Sequence, residues 1–143
     1  KLARSQPEEA VINLDGQDVR VTYSRTDGGN IANIFDGDPY SLMRSLEANP
    51  TIVELDFPEA RQLSGIDLTT ATMNDFTVTL KIFGDPEGSP VIMEENFKGL
   101  PVNPTVSFDL ENETVKVKKL ILEIKHNTLE DPTHMHIREL NLR

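Results

Sequence analysis

Phe76, Val78, Leu80 and Ile82 alternate with Thr77, Thr79 and Lys81, and this period of two is the strongest constraint the chain carries. An extended strand sends successive side chains to opposite faces, so the stretch has one apolar face to bury and one polar face to wet. The pattern recurs. Val53, Leu55 and Phe57 oppose Ile52, Glu54 and Asp56; Val106, Phe108 and Leu110 oppose Thr105, Ser107 and Asp109; Leu120, Leu122 and Ile124 oppose Ile121, Glu123 and Lys125. Further apolar runs lie at residues 10–14, 18–24, 63–70, 91–97 and 137–142. Eight or so short strands divided by Pro, Gly, Asn and Asp, with no long helical period, predict an all-β antiparallel sandwich.

The connections carry their own signals. Residues 1–9 are polar and contain Pro7, which reads as a linker, leaving residues 10–143 as a single domain. Asp15-Gly16-Gln17 between two apolar runs predicts a hairpin turn. Residues 26–30, with Gly28 and Gly29, read as a loop, and residues 58–62 as a turn that follows Phe57. Residues 40–48 are expected to take a helical turn or two before Asn49-Pro50 stops them. Ile137 and Leu140 stand three apart, so strict alternation fails near Glu139 and predicts a bulge.

Composition narrows the function classes. The 143 residues carry a net charge of −10, which disfavours nucleic acid and anionic membrane surfaces as partners. There is no cysteine, hence no disulfide framework and no thiolate chemistry. No apolar run approaches the ~20 residues that a membrane span needs. The opening at Lys1 rather than methionine leads us to expect a processed product or an excised piece of a larger chain, and the second fits a module.

One turn concentrates the polar chemistry: Asn33-Ile34-Phe35-Asp36-Gly37-Asp38-Pro39-Tyr40-Ser41. Gly37 supplies a positive φ and Pro39 fixes the next, so the backbone must reverse tightly. Asp36, Asp38 and the Ser41 hydroxyl crowd hard oxygens onto it, which suits Ca²⁺. The same residues also read as a solvated turn.

Continuing to Ser45, the string Asp36-Gly37-Asp38-Pro39-Tyr40-Ser41-Leu42-Met43-Arg44-Ser45 resembles the signature of discoidin-like domains. These are the galactose-binding-like β-sandwiches, of jelly-roll type, also found in coagulation-factor C-type domains. Residues 51–57, 63–68 and 137–142 resemble that family's following strands in order, so the resemblance covers roughly residues 18–143. It implies a calcium site in which Asn33 gives a carbonyl, Asp36, Asp38 and Ser41 their oxygens, and Glu139 a carboxylate from the last strand. Salt bridges from Glu139 to Arg44 or Arg138 are the alternative. The resemblance also implies that residues 19–24 and 137–142 share one sheet. Met43 stands where the family usually shows Trp, a departure that reads as repacking of the core.

Two function classes follow. The first is a non-catalytic, extracytoplasmic module that binds a glycan or cell-surface ligand, with Tyr40, Arg44, His126 and His134 as candidate contacts. Sugar recognition wants an aromatic platform beside planar polar groups, and here there is no Trp and only two Tyr. Phe76 and Phe97 lie in strands and read as core. The second class is a structural or protein-interaction accessory domain of a secreted or membrane-anchored protein. His134-Met135-His136 lacks the spacing of a zinc site. No carboxylate pair, nucleophile elbow or phosphate loop is present, so catalysis is not expected.

Overall fold

The computed structural model describes residues 7–38, 40–45, 50–71, 75–101, 103–110, 115–127 and 135–143. Its strands are β1 (Glu8–Leu14), β2 (Gln17–Tyr23), β3 (Thr26–Gly28), β4 (Met43–Ser45), β5 (Thr51–Leu63) and β6 (Gly65–Thr70). After these come β7 (Asp75–Phe83), β8 (Val91–Lys98), β9 (Thr105–Asp109), β10 (Val115–His126) and β11 (His136–Leu142). A 3-10 helix, Ile31–Phe35, lies between β3 and β4. Two sheets form, one ordered β1-β2-β5-β10-β7-β8 and the other β3-β4-β11-β6-β9. Neighbouring strands run antiparallel, which gives the expected sandwich.

Alternation sets the core. Phe76, Val78, Leu80 and Ile82 of β7 are buried beside Leu120, Leu122 and Ile124 of β10, and Val53, Leu55 and Phe57 of β5 are buried with them. Met43, Ile66, Leu68, Phe108, Ile137 and Leu140 belong to the same core from the five-stranded sheet. Removing each such side chain from water is worth about 1.5–3 kcal/mol. Met43 is fully buried, as its place in the signature requires.

The hairpin forms where the sequence puts it. Leu14 faces Gln17 across the ladder, leaving Asp15 (φ 51°) and Gly16 (φ 87°) as a two-residue turn with both φ positive. That is the type I′ geometry, whose twist matches the flanking strands. β1 begins at Glu8, two residues before the expected strand start.

The loop expected at residues 26–30 holds a short strand, β3, paired with β4, and three further expectations need correction. Residues 58–62 do not turn the chain, because β5 runs through them to Leu63. The ladder with β10 steps from Lys119↔Asp56 to Val117↔Arg61, so the strand bulges around Pro58, where no N–H is needed. The Lys118 ammonium fills the gap by donating to the carbonyls of Phe57, at 2.6 Å, and Pro58. Second, the helical turn expected over residues 40–48 is replaced, within the described residues, by β4, with residues 46–49 lying outside them. Pairing with β11 buries Met43 and Ser45, and that packing outweighs a weak helical pattern. The helical turn forms earlier, at Ile31–Phe35, where Asn30 Oδ1 caps it by accepting from the Ala32 N–H at 3.0 Å. Third, β2 and β11 occupy opposite sheets, since β2 pairs with β5 while β11 lies between β4 and β6.

The expected bulge near Glu139 is present. The β11 ladder moves from Ile137↔Thr70 to Glu139↔Thr69, with Arg138 the extra residue.

Leu80 is fully buried in the centre of β7. Leu80→Ala is expected to destabilise the fold by about 2–5 kcal/mol, read from denaturant unfolding, and an unchanged midpoint would contradict this packing.

Candidate functional site

The signature loop follows directly from the 3-10 helix, and short-range hydrogen bonds shape it. Asp36 Oδ1 accepts from the Asp38 N–H at 2.9 Å, and Asp38 Oδ1 accepts from the Tyr40 N–H at 2.9 Å. Two consecutive side-chain-to-backbone turns of this kind are what Asp residues favour in loops. Gly37 has φ 75°, the left-handed conformation that its lack of a Cβ permits. Asn33 Nδ2 donates to the Leu42 carbonyl at 3.0 Å, closing the loop at its base.

Ser41 Oγ sits among oxygens. Asp36 Oδ2 is 2.7 Å away, the Asn33 carbonyl 3.1 Å and the Asp38 carbonyl 3.1 Å. A hydroxyl has one proton, so it serves one of these three acceptors at a time. Across the loop, Glu139 Oε2 accepts from the Gly37 N–H at 3.1 Å, while Glu139 Oε1 is buried without a hydrogen-bond partner. The corner therefore holds more acceptors than protons.

Electrostatics agree. Burial, followed by the neighbouring charges of Asp36 and Asp38, pushes the Glu139 carboxyl above its usual range. Asp36 moves the other way, held low first by the Ser41 hydroxyl and then by the Asp38 N–H. The structure thus brings Asn33, Asp36, Ser41 and Glu139 into one corner with the Asp38 carbonyl. Among the described residues, no group of three or more His, Asp or Glu is arranged to hold a metal ion. Oxygens available to a cation here come from two carboxylates, one hydroxyl and two carbonyls, all hard ligands of the kind calcium takes.

The other candidate residues occupy separate elements. Tyr40 stands 88% exposed on the signature loop. Arg44, on β4, is paired with Asp27 of β3 through its Nε at 2.7 Å, which replaces the alternative pairing with Glu139. His126 ends β10, opposite Phe76. His134 lies outside the described residues. Phe76 is fully buried and Phe97 packs on the core, their rings 5.5 Å apart, so neither is a surface platform.

Sequence reasoning missed a polar network beside His126. Asn127 Nδ2 donates to Asp75 Oδ1 and Asn96 Oδ1, both at 2.7 Å, and its Oδ1 accepts from Thr77 Oγ at 2.8 Å. The four residues come from three strand segments, so only the sheet order could reveal them. By the strand registers, the ends of β4, β6, β8 and β10 open onto this same end of the sandwich, as does the start of β11.

No protein-family model matches the chain, and no curated protein matches it in sequence. Solved structures do match. The CBM32 module of AlyQ, in complex with 4,5-unsaturated mannuronic acid, aligns with TM-score 0.67 and 15% identity over 95% of this chain and 98% of that one. A Streptococcus pneumoniae fucose-binding module aligns with TM-score 0.65 and 19% identity over 94% and 97%. A Ruminococcus gnavus GH29 fucosidase in complex with fucose aligns with TM-score 0.66 and 10% identity, over 91% of this chain and 25% of that one. The chain has the discoidin-like, galactose-binding-like β-sandwich fold that its signature residues imply.

Glu139 gives a direct test of the crowded corner. The fold holds its proton to a higher pH than the unfolded chain does, so its contribution to stability is present below the unfolded value and lost as pH rises through the raised one. Glu139→Gln keeps an acceptor for Gly37 and offers an amide donor to Asp36. In chelator at neutral pH the variant is expected to melt above the parent, and the gap should narrow as pH falls through the raised value of the parent carboxyl and close below the ordinary glutamate range. A variant that melts lower at neutral pH contradicts the crowding.

Proposed function

We propose that this domain is a non-catalytic glycan-binding module of a larger extracytoplasmic protein. One observation carries the reading: over nearly its whole length the chain shares its fold with modules described as binding sugars. The fucosidase alignment, which spans a quarter of that chain, supports a modular place within a longer protein. The rigid two-sheet scaffold supports it too, since connections gathered at one end of a sandwich are where such folds place recognition. At that end Arg44 and His126 offer planar, hydrogen-bonding groups of the kind that orient sugar hydroxyls.

The signature loop, in this reading, holds calcium in a structural role. Asp36, Glu139 and the Ser41 hydroxyl would ligate it with the Asn33 and Asp38 carbonyls, and the Asp38 carboxylate would complete the set. The excess of acceptors over protons supports this, because a cation offsets the repulsion that the loop otherwise carries. Bound there, the ion ties the loop to the last strand and supplies no chemistry to a substrate.

A second reading rests on β8, the outer strand of its sheet. Val91 and Ile92 are 60% and 58% exposed on adjacent positions, which suits a protein-interaction domain.

A glycan array on the isolated domain separates the two readings, with reproducible binding to a defined glycan set expected and a blank array favouring the second. Thermal melts test the ion. Calcium is expected to raise the melting temperature, with about 2.7 kcal/mol of stabilisation at a hundredfold excess over Kd. Magnesium should substitute poorly because it demands a tighter octahedral shell. Asp36→Asn should abolish most of the gain, and identical melts in chelator, calcium and magnesium would leave the loop a plain turn.

A further inference from the structure

A cleft of about 250 Å³ opens beside the signature loop, between the β1–β2 turn and β11. Its apolar part comes from Leu14, Phe35 and Leu142, each half-buried. Polar groups come from three different directions. Arg61 reaches in from β5 with its side chain only 16% exposed, and its guanidinium pairs with Asp15 of the hairpin turn. That pair engages one nitrogen. A guanidinium carries five donors, and among the described residues the others on Arg61 have no partner. From β11, Asn141 Nδ2 donates to Asp67 at 3.3 Å, which leaves its carbonyl oxygen as an acceptor without a donor among the described residues. Asn13 accepts from the Gly16 N–H at 3.3 Å and donates to Asp18 at 3.1 Å, so the side of the cleft nearest the turn is held in place.

A fixed planar donor, a planar acceptor and an aromatic ring are what a pyranose needs, since it has hydroxyls that donate and accept around apolar C–H faces. The size is below the ~300–1,000 Å³ of ordinary small-molecule pockets, which suits one sugar ring rather than an extended chain. Charge decides the class. Asp15 already neutralises Arg61, and Glu139 adds a further acid to the lining, on a chain of net charge −10. A uronate would meet a wall of its own sign.

We propose that this cleft is a subsite for a single neutral pyranose, with its C–H face against Phe35 and Leu14 and its hydroxyls bridging Arg61 and Asn141. The inference rests on the glycan-binding reading above but places recognition at the end of the sandwich opposite His126. It also gives Arg61 a purpose beyond its ion pair with Asp15, whose carboxylate is exposed and which alone contributes little to stability.

Amide and Arg side-chain NMR titration of the whole domain with methyl galactoside, methyl fucoside and galacturonate tests it. Saturable shifts at Asn13, Gly37, Arg61 and Asn141 are expected with a neutral glycoside, and binding of galacturonate should be about tenfold weaker or worse. Arg61→Lys, which keeps the charge and loses the fork, should weaken neutral-sugar binding about tenfold. Asn141→Leu, which removes the acceptor oxygen at an exposed position without placing a new charge against Asp67, should weaken it severalfold. Shifts confined to His126 and Arg44 would overturn the cleft while leaving the glycan reading standing. Galacturonate binding more tightly would overturn the neutral class, and no shift with any of the three sugars would overturn the cleft together with binding of these sugars.

Discussion

The hydrogen bond from the Gly37 N–H to Glu139 Oε2 joins residues 102 apart in sequence, and the candidate sites depend on it. One partner lies in a turn that only glycine enters at low cost; the other lies on a strand that a bulge has re-aimed. Without the bulge at Arg138, strict alternation would send residue 139 to the other face of the sheet. The bond therefore expresses two local irregularities that are useful only together. It fixes the loop against β11, and in doing so it positions both the oxygen-rich corner and one wall of the neighbouring cleft.

The same contact carries a cost. Holding Glu139 against Asp36 buries an oxygen without a donor and raises the carboxyl's affinity for its proton. A buried acceptor left unmatched costs about 1–3 kcal/mol, so folds rarely keep one where packing alone is at stake. Here the surrounding core absorbs the cost: the two apolar faces close around Leu80, Leu120 and Leu55 without help from the corner. Stability resides in the sandwich, and the loop is free to be electrostatically unfavourable until something offsets it.

Much of the fold was legible in the sequence. Period-two rows such as Phe76 to Ile82 identify their buried face because a strand offers only two, and Asp15-Gly16 identifies its turn because few dipeptides accept two positive φ angles. The break in alternation at Glu139 was legible for the same reason. Short elements were not. β3 and β4 have three residues each and form because β11 gives β4 a ladder, which no local pattern records. Pro58 misled in a different way, since it marks a bulge within β5 that Lys118 stabilises from sixty residues away. Of the candidate site, Asn33, Asp36, Ser41 and Glu139 were readable through the signature. Arg61 was not, because its place in the cleft depends on β5 passing through a segment that reads as a turn.

Amide hydrogen exchange at Gly37 tests the central claim most directly. If the bond to Glu139 organises the loop, Gly37 should exchange well below its unfolded-chain rate in chelator and more slowly still in calcium. In Glu139→Ala, with the core amides of β7 unchanged, that protection should disappear. Exchange of Gly37 at the unfolded-chain rate in the parent, with and without calcium, would show that the loop is not held by the closing strand and would contradict the account.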